Sequence, residues 1–350
     1  MTGDDFSKQV KSGETFIKED FSGMDCSNVD LSGGIFIEVT FDDCDFSGAD
    51  LREATFSDCS LKNAKLLETN LKDANLLNSD FGAADFKDSR MDFTKFVECD
   101  LTDAGFSGAN IETSVFSESK MPGSGFTGAT LETTVFKECD MKGADFSNSQ
   151  MESTIFYECE FDKNIFKGAV IKQSFFANAT LENVDFSNMD LTRCQFGECS
   201  LKGCDFTGTR LKQGGFRQAN LESSTFDNAD LELANFSEAN LVGSSMKKAN
   251  LENASMQKAK LSGADLSSAF MKKAQLTEAE AQESNFTGVD LSYADLSHAR
   301  ISKSIFSNAN MLMANMHEVN DEKTTWSGAN KSLARGTDKK RLKAEQWGKK

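Results

Sequence analysis

The feature that most constrains this chain is a hydrophobic repeat with a period of five residues. From Phe16 to Trp326, the positions ending in 1 and 6 hold Phe, Leu, Met or Ile almost without exception, and no insertion or deletion shifts the register. The residue two places earlier is usually small. The large position is broken only by Cys26, Ala281 and Asp321. A repeat kept over this length predicts one solenoid rather than several ordinary domains.

A period of five is incompatible with both standard secondary structures. In an α-helix a step of five residues rotates the side chain by about 140°, so the large residues would be spread over every face. In a strand an odd step puts successive large residues on opposite faces. Only the small and the large residue, two apart, can share a side, and the other three residues must turn the chain. Each pentapeptide is therefore predicted to form one side of a coil.

The number of sides in each coil follows from the spacing at which the same type of large residue recurs. Positions ending in 6 are mostly Phe between Phe86 and Phe236, whereas positions ending in 1 are mostly Leu, Met or Ile. A coil of fifteen residues would stack Phe on Leu, while a coil of twenty stacks like on like. The sequence therefore predicts an all-β fold, a four-sided β-helix of about 16 coils of 20 residues.

Short stretches within the repeat resemble those of a known family. Ala49-Asp50-Leu51, Ala109-Asn110-Ile111 and Ala264-Asp265-Leu266 follow the A-(D/N)-(L/F)-x-x pattern of the pentapeptide-repeat proteins. The resemblance extends over about nine-tenths of the chain. It implies the right-handed quadrilateral β-helix of that family, but no function, because one fold supports many functions.

Both ends of the repeat differ from its middle. Residues 1–15 keep the register at Phe6 but have polar residues at later core places, so we expect an N-terminal cap there, followed by the β-helix over 16–326. Solenoids need such caps because their terminal backbone edges are otherwise open. Residues 327–350 form a basic C-terminal tail or cap, with Thr337 or Asp338 as the predicted N-cap of a short helix.

The tail has two predicted modes. Either it packs on the last coil through apolar side chains, or it becomes ordered only when a partner binds. The candidate contact residues of the tail are Lys339, Lys340, Arg341, Leu342 and Trp347.

Residues that could carry chemistry have simpler explanations. Eight of the nine cysteines fall at the small inward position and Cys26 at the large one, which predicts reduced core residues. His298 and His317 fall at outward positions with no cysteine pattern beside them, so no metal site is expected. Asn164, at an inward position, is expected to bond to backbone. With no nucleophile motif or phosphate loop, the sequence predicts no enzyme and no cofactor.

Charge is distributed unevenly along the chain. Residues 1–200 contain 37 acidic and 17 basic residues, whereas residues 201–350 contain 18 acidic and 21 basic ones. An acidic β-helix could mimic DNA and bind gyrase, a topoisomerase or another DNA-binding protein, as the resemblance suggests for the gyrase-protecting members of the family. Alternatively, the negative charge only promotes solubility. Direct binding of nucleic acid is disfavoured in both cases.

An apolar stripe is predicted on one outer face. Val115, Val135, Ile155 and Phe175 recur every twenty residues just before an inward Phe, and Tyr157 lies beside Ile155. Contiguous apolar surface of this kind is typical of docking sites. The alternative is that these residues only reflect the β-propensity of a flat face.

The function predicted from these features is a non-enzymatic scaffold that presents an acidic surface and the apolar stripe to a protein partner, which could be a second copy. The alternatives are the DNA mimic and an accessory or cargo-binding protein of a bacterial secretion system. No apolar stretch approaches the roughly 20 residues of a membrane span. The polar N-terminus lacks the apolar segment of a signal peptide, so a cytoplasmic, bacterial location is expected.

Overall fold

The computed structural model describes residues 2–347 and divides the chain into two compact units, the first ending at Thr180 and the second beginning at Leu181. Helix α1 (Gly3–Lys11) opens the chain, and a 3₁₀ helix (Lys331–Leu333) and helix α2 (Lys339–Trp347) close it. The strands are β1 (Thr15–Ile17), β2 (Ile35–Ile37), β3 (Thr55–Ser57), β4 (Asn75–Leu77), β5 (Lys95–Val97), β6 (Val115–Ser117), β7 (Val135–Lys137), β8 (Ile155–Tyr157) and β9 (Phe175–Ala177).

In the first unit, the nine strands form one parallel sheet in sequence order, and each residue pairs with the residue twenty places later, as in Phe96 with Phe116. The other three sides are joined by single parallel bridges at the same separation. Examples are Asp20 with Thr40, Asp25 with Asp45, and Asp30 with Asp50. Four paired sides per twenty residues confirm the predicted quadrilateral β-helix.

The second unit has the same type of pairing, and none of its described residues belongs to a named strand. Single parallel bridges run from Asp185 with Asp205 to Asn315 with Arg335, always twenty residues apart. The strands of the first unit mark eight turns, fewer than the 16 coils predicted. The difference arises because the strands lie in the first unit, whereas the sides of the second unit each contribute one bridged residue, which is too short to count as a strand. The pairing also extends past Trp326, since the N–H of Met316 donates to the carbonyl of Arg335 at 2.8 Å.

The core consists of side-chain ladders. The Phe86 and Phe106 rings stack at 4.9 Å, Phe106 and Phe126 at 4.8 Å, and Phe96 and Phe116 at 4.6 Å between centroids, all within 5° of parallel. At the small positions, buried hydroxyls donate to the backbone of an earlier coil, as Thr94 does to Leu71 at 2.8 Å. Because each coil has twenty residues, Phe residues that recur every twenty positions stack on one another in neighbouring coils.

The corners carry an unusual backbone conformation. Between Gly13 and Gly328, residues at positions ending in 3 and 8 have positive φ, for example 55° at Glu98 and 51° at Glu118. Such angles suit Gly, Asn and Asp and are uncommon for other residues. The repeat fixes this conformation at the corners whatever residue is present, so even glutamates adopt it.

Helix α1 lies against the first coil. Its N-cap Thr2 accepts a hydrogen bond from the N–H of Asp5, and Phe6 is fully buried. The Phe6 ring lies 4.8 Å from Phe16 and 4.9 Å from Phe21. The predicted cap segment thus contains a helix, which the sequence analysis did not predict. Neither described helix has the length and apolar character that crossing a membrane requires.

Candidate functional site

The apolar stripe (Val115, Val135, Ile155, Tyr157 and Phe175) lies on the outer face of strands β6–β9. The strand register pairs Val115 with Val135, Val135 with Ile155, and Ile155 with Phe175, so these four form one column. Ile155 is 38% and Phe175 46% exposed, and the two valines are half-buried. Neighbouring parallel strands lie about 4.8 Å apart, which makes the column continuous.

Tyr157 belongs to the neighbouring outer column of the same strands. It is 37% exposed and pairs with Lys137 in the strand register. The Glu158 carboxylate, hydrogen-bonded to the Tyr157 hydroxyl, raises the pKa of that phenol. Val97 lies in this second column and is separated from Tyr157 by Ser117 and Lys137. The stripe is therefore a column of four residues, adjoined at Val115 by Lys95 of β5, with an aromatic side chain beside it.

Two rows of glutamates, which were not predicted as site residues, bracket the stripe. In each of three successive coils, one glutamate lies three residues before the stripe residue and another three residues after it. These glutamate rows are Glu112, Glu132 and Glu152 on one side and Glu118, Glu138 and Glu158 on the other. The signal was present as a motif, E-x-x-(V/I)-F-x-E, repeated three times at twenty-residue spacing.

The glutamates of both rows are exposed, except Glu112, which is half-buried. All three following glutamates are exposed and have positive φ, at 51° for Glu118 and 54° for Glu138 and Glu158. Lys137 pairs with Glu138 at 3.0 Å. In-register stacking places like charges one strand spacing apart, which is unfavourable for the isolated protein. The surface therefore combines exposed apolar groups with closely spaced negative charge.

A second cluster joins α2 to the last coils. The carboxylate of Glu345 lies between the two histidines, with Oε1 3.3 Å from His298 Nε2 and Oε2 3.2 Å from His317 Nε2. Arg341 donates to Oε1 at 2.7 Å. Both histidines are predicted at outward positions of the repeat, but α2 covers His317, whose side chain is 1% exposed.

His298, His317 and Glu345 have ligand atoms within 4.8 Å of one another, a spacing that could hold a metal ion. The hydrogen bonds favour another role. Nδ1 of His317 accepts from the N–H of Asp338 at 3.1 Å, so a neutral ring carries its proton on Nε2 and donates it to Glu345. Histidine ligands normally donate from their second nitrogen instead. The Arg341 guanidinium also supplies the positive charge, so the cluster fits a contact that holds α2.

Some of the predicted tail residues take part in the contact between α2 and the coils, and others are exposed to solvent. Asp338 is the N-cap of α2, since its carboxylate accepts from the N–H groups of Lys340 and Arg341. Thr337, the other predicted cap, instead accepts from the N–H of Glu318. Leu342 is half-buried, whereas Trp347 is 79% exposed and does not hold the helix down. Packing of α2 is thus mainly polar.

Neutralising Glu345 should loosen α2. Arg341 and then His317 hold the pKa of this carboxyl down, to about 2 from a usual 4.5. Its contribution to docking is therefore present above pH 4.5 and lost as the pH falls through about 2. Glu345→Gln imitates the neutral acid, so we expect trypsin to cleave after Lys340 and Lys343 about ten-fold faster at neutral pH.

The matched control for this experiment is Glu322→Gln, which changes an exposed carboxylate that pairs with Lys323. The control should digest at the wild-type rate. Equal cleavage of the Glu345→Gln variant and the wild type would show that the cluster does not hold the helix.

The other candidate residues are core residues. All nine cysteines are buried. Burial raises the pKa of the Cys99 thiol to about 12, which suppresses the reactive thiolate. Asn164 donates its amide to the carbonyls of Met141 at 2.6 Å and Ala144 at 3.2 Å, as expected for an inward polar residue.

The sequence matches two family models along most of its length. A model described as pentapeptide repeat region matches residues 34–95, 89–166, 129–206 and 169–255. A model described as pentapeptide repeats (8 copies) matches residues 244–280, 271–308 and 284–320. No curated protein matches the chain.

Several solved structures are similar. The pentapeptide repeat protein Rfr23 of the cyanobacterium Cyanothece 51142 is 29% identical over 27% of this chain and 60% of its own, with a TM-score of 0.24. A pentapeptide repeat protein of the Arabidopsis thaliana thylakoid lumen is 30% identical over 29% of this chain and 66% of its own, with a TM-score of 0.23.

HetL of Nostoc sp. strain PCC 7120, a pentapeptide repeat protein involved in heterocyst differentiation regulation, is 17% identical over 95% of this chain and 96% of its own, with a TM-score of 0.16. The chain thus spans less than two thirds of the length of Rfr23 and of the Arabidopsis protein. With TM-scores below 0.5, these structural likenesses add nothing to the sequence match.

Proposed function

Since the chain belongs to the pentapeptide-repeat family, whose fold fixes no activity, we propose that it is a non-enzymatic scaffold that binds a protein partner through the apolar stripe. The observation that carries this proposal is the in-register column of Val115, Val135, Ile155 and Phe175 on the outer face of a flat sheet. Isolated exposed apolar residues are ordinary on proteins, but a contiguous column on a polar surface is typical of interaction sites.

The test removes the apolar side chains and keeps the β-propensity. A variant with Val135→Thr, Ile155→Thr and Phe175→Thr should capture at least ten-fold less partner from cytosol than the wild type, because the contact area is lost. Mass spectrometry of the captured proteins at low and high salt gives the readout. Threonine suits strands, so the coil should remain folded.

The matched control replaces three exposed apolar residues on other sides, with Ile165→Thr, Phe270→Thr and Ile305→Thr. This variant should capture the wild-type set of proteins. If the stripe variant captures the same proteins in the same amounts as the control, the stripe is not the binding surface.

DNA mimicry is the second candidate, and the charge of the first unit favours it. Residues 1–180 contain 33 acidic and 16 basic residues. A mimic would be captured by a DNA-binding enzyme such as gyrase, and the contact would be lost at high salt because it is electrostatic. In the same capture experiment, salt-sensitive recovery of such an enzyme by both the stripe variant and the control would support this function instead.

A further inference from the structure

The stripe and the glutamate rows form one surface with a defined charge pattern. Strands β6, β7 and β8 each contribute one apolar residue to the column, with a glutamate three residues before it and another three residues after it. The parallel register repeats this arrangement in three successive coils. Six carboxylates thus bracket the central apolar column. Lys137, beside Glu138, is the basic residue within β6–β8, and Lys95 of β5 adjoins Val115 at the end of the column.

This charge pattern indicates what the occupant must carry. Two copies packed stripe to stripe would place rows of glutamates near one another, and like charges across a contact are unfavourable. A second copy is therefore a poor occupant for this face. A partner with an apolar ridge flanked by lysine or arginine would match the apolar column and both rows.

The spacing of the column indicates the form of the partner. Four stripe residues in neighbouring coils span three strand spacings, about 14 Å. Three turns of an α-helix advance about 16 Å, so apolar residues one turn apart on a helix can each contact one residue of the column. Alternate residues of an extended strand would advance about 20 Å over three steps and fall out of register.

We propose that the stripe and the glutamate rows together bind a basic amphipathic helix of a partner protein, with its apolar edge on Val115, Val135 and Ile155. The glutamates on both sides pair with lysine or arginine residues that flank this edge. Helices of this kind bind other proteins by laying an apolar face into a surface and reading the flanking charges. This inference rests on the proposed function, since it names the class of partner for the same face.

The experiment uses the full-length protein and two synthetic peptides of 18 residues with identical composition. Both have leucines spaced three and four residues apart along one helix edge. One has lysines on both flanks of this edge, and the other has the same lysines on the opposite side. Fluorescence anisotropy of the labelled peptides measures binding at several salt concentrations. We expect the flank-lysine peptide to bind about ten-fold more tightly, with affinity falling as salt rises.

Variants of the glutamate rows test which carboxylates contribute to peptide binding. Glu118→Gln with Glu138→Gln and Glu158→Gln should weaken binding of the flank-lysine peptide about ten-fold and flatten its salt dependence. The matched control changes three exposed corner glutamates that also have positive φ, with Glu53→Gln, Glu68→Gln and Glu198→Gln. The control should bind the peptide as the wild type does.

Equal binding of the two peptides, or no loss in the Glu118, Glu138 and Glu158 variant, would overturn the inference. These results are distinguishable from a failure of the proposed function. If the threonine variant of the stripe still loses its natural partner, the stripe is a docking surface whose partner is not a basic helix. If that variant keeps its partner, the docking surface itself is wrong.

Discussion

Replacing Phe126 by alanine is expected to lower the free energy of unfolding of the first unit by about 3–5 kcal/mol, the usual cost of truncating a buried Phe. Phe126 is fully buried and stacks between Phe106 at 4.8 Å and Phe146 at 5.0 Å, both within 4° of parallel. It also meets the edge of Phe136 at 6.0 Å. The four-sided coil is closed around this ladder, so the cavity cannot collapse without breaking the pairing on all four sides.

Urea unfolding followed by circular dichroism measures this loss. The matched control is Phe93→Ala, the same change at a corner residue of the first unit that is 51% exposed. We expect the control to change the free energy of unfolding by less than about 1 kcal/mol. A similar loss in both variants would mean that the Phe ladder contributes no more than an exposed ring.

Replacing Phe6 by alanine is expected to release α1 and destabilise the first coil by about 3 kcal/mol, since Phe6 contacts four aromatic rings of that end. These rings belong to Phe16, Phe21, Phe36 and Phe41, at 4.8 to 6.2 Å between centroids. Hydrogen exchange of the first coil should become about 100-fold faster, because coils in a solenoid depend mainly on their neighbours.

Loss of α1 should also expose the backbone edge of the first coil, so light scattering should detect self-association in this variant. Lys8→Ala changes an exposed residue of the same helix and serves as the control. The control should stay protected and should not associate. If Phe6→Ala exchanges as slowly as Lys8→Ala, α1 is not the cap of this end.

The fold was predictable from sequence because it repeats. The small and large residues of each pentapeptide fix which side chains face inward, and the recurrence of Phe every twenty residues selects four sides. Cys99 and Asn164 occupy inward positions of the repeat, and both are buried as this pattern predicts. The twenty-residue coil also predicts Val115 and Val135 in one column, since any residue twenty places later lies on the neighbouring coil. The glutamate rows were equally periodic and could have been found by extending the comparison to polar positions.

The ends were decided by tertiary structure. Helix α1 has nine residues, too few to be stable alone, and it is held by the contact of Phe6 with the first coil. His317 and Glu345 are 28 residues apart and meet only because α2 folds back on the coils. The periodic sequence determines contacts that recur at a fixed separation, because the same local geometry is repeated in every coil. Contacts made once, between non-repeating segments, have no such pattern, so only the folded chain decides them.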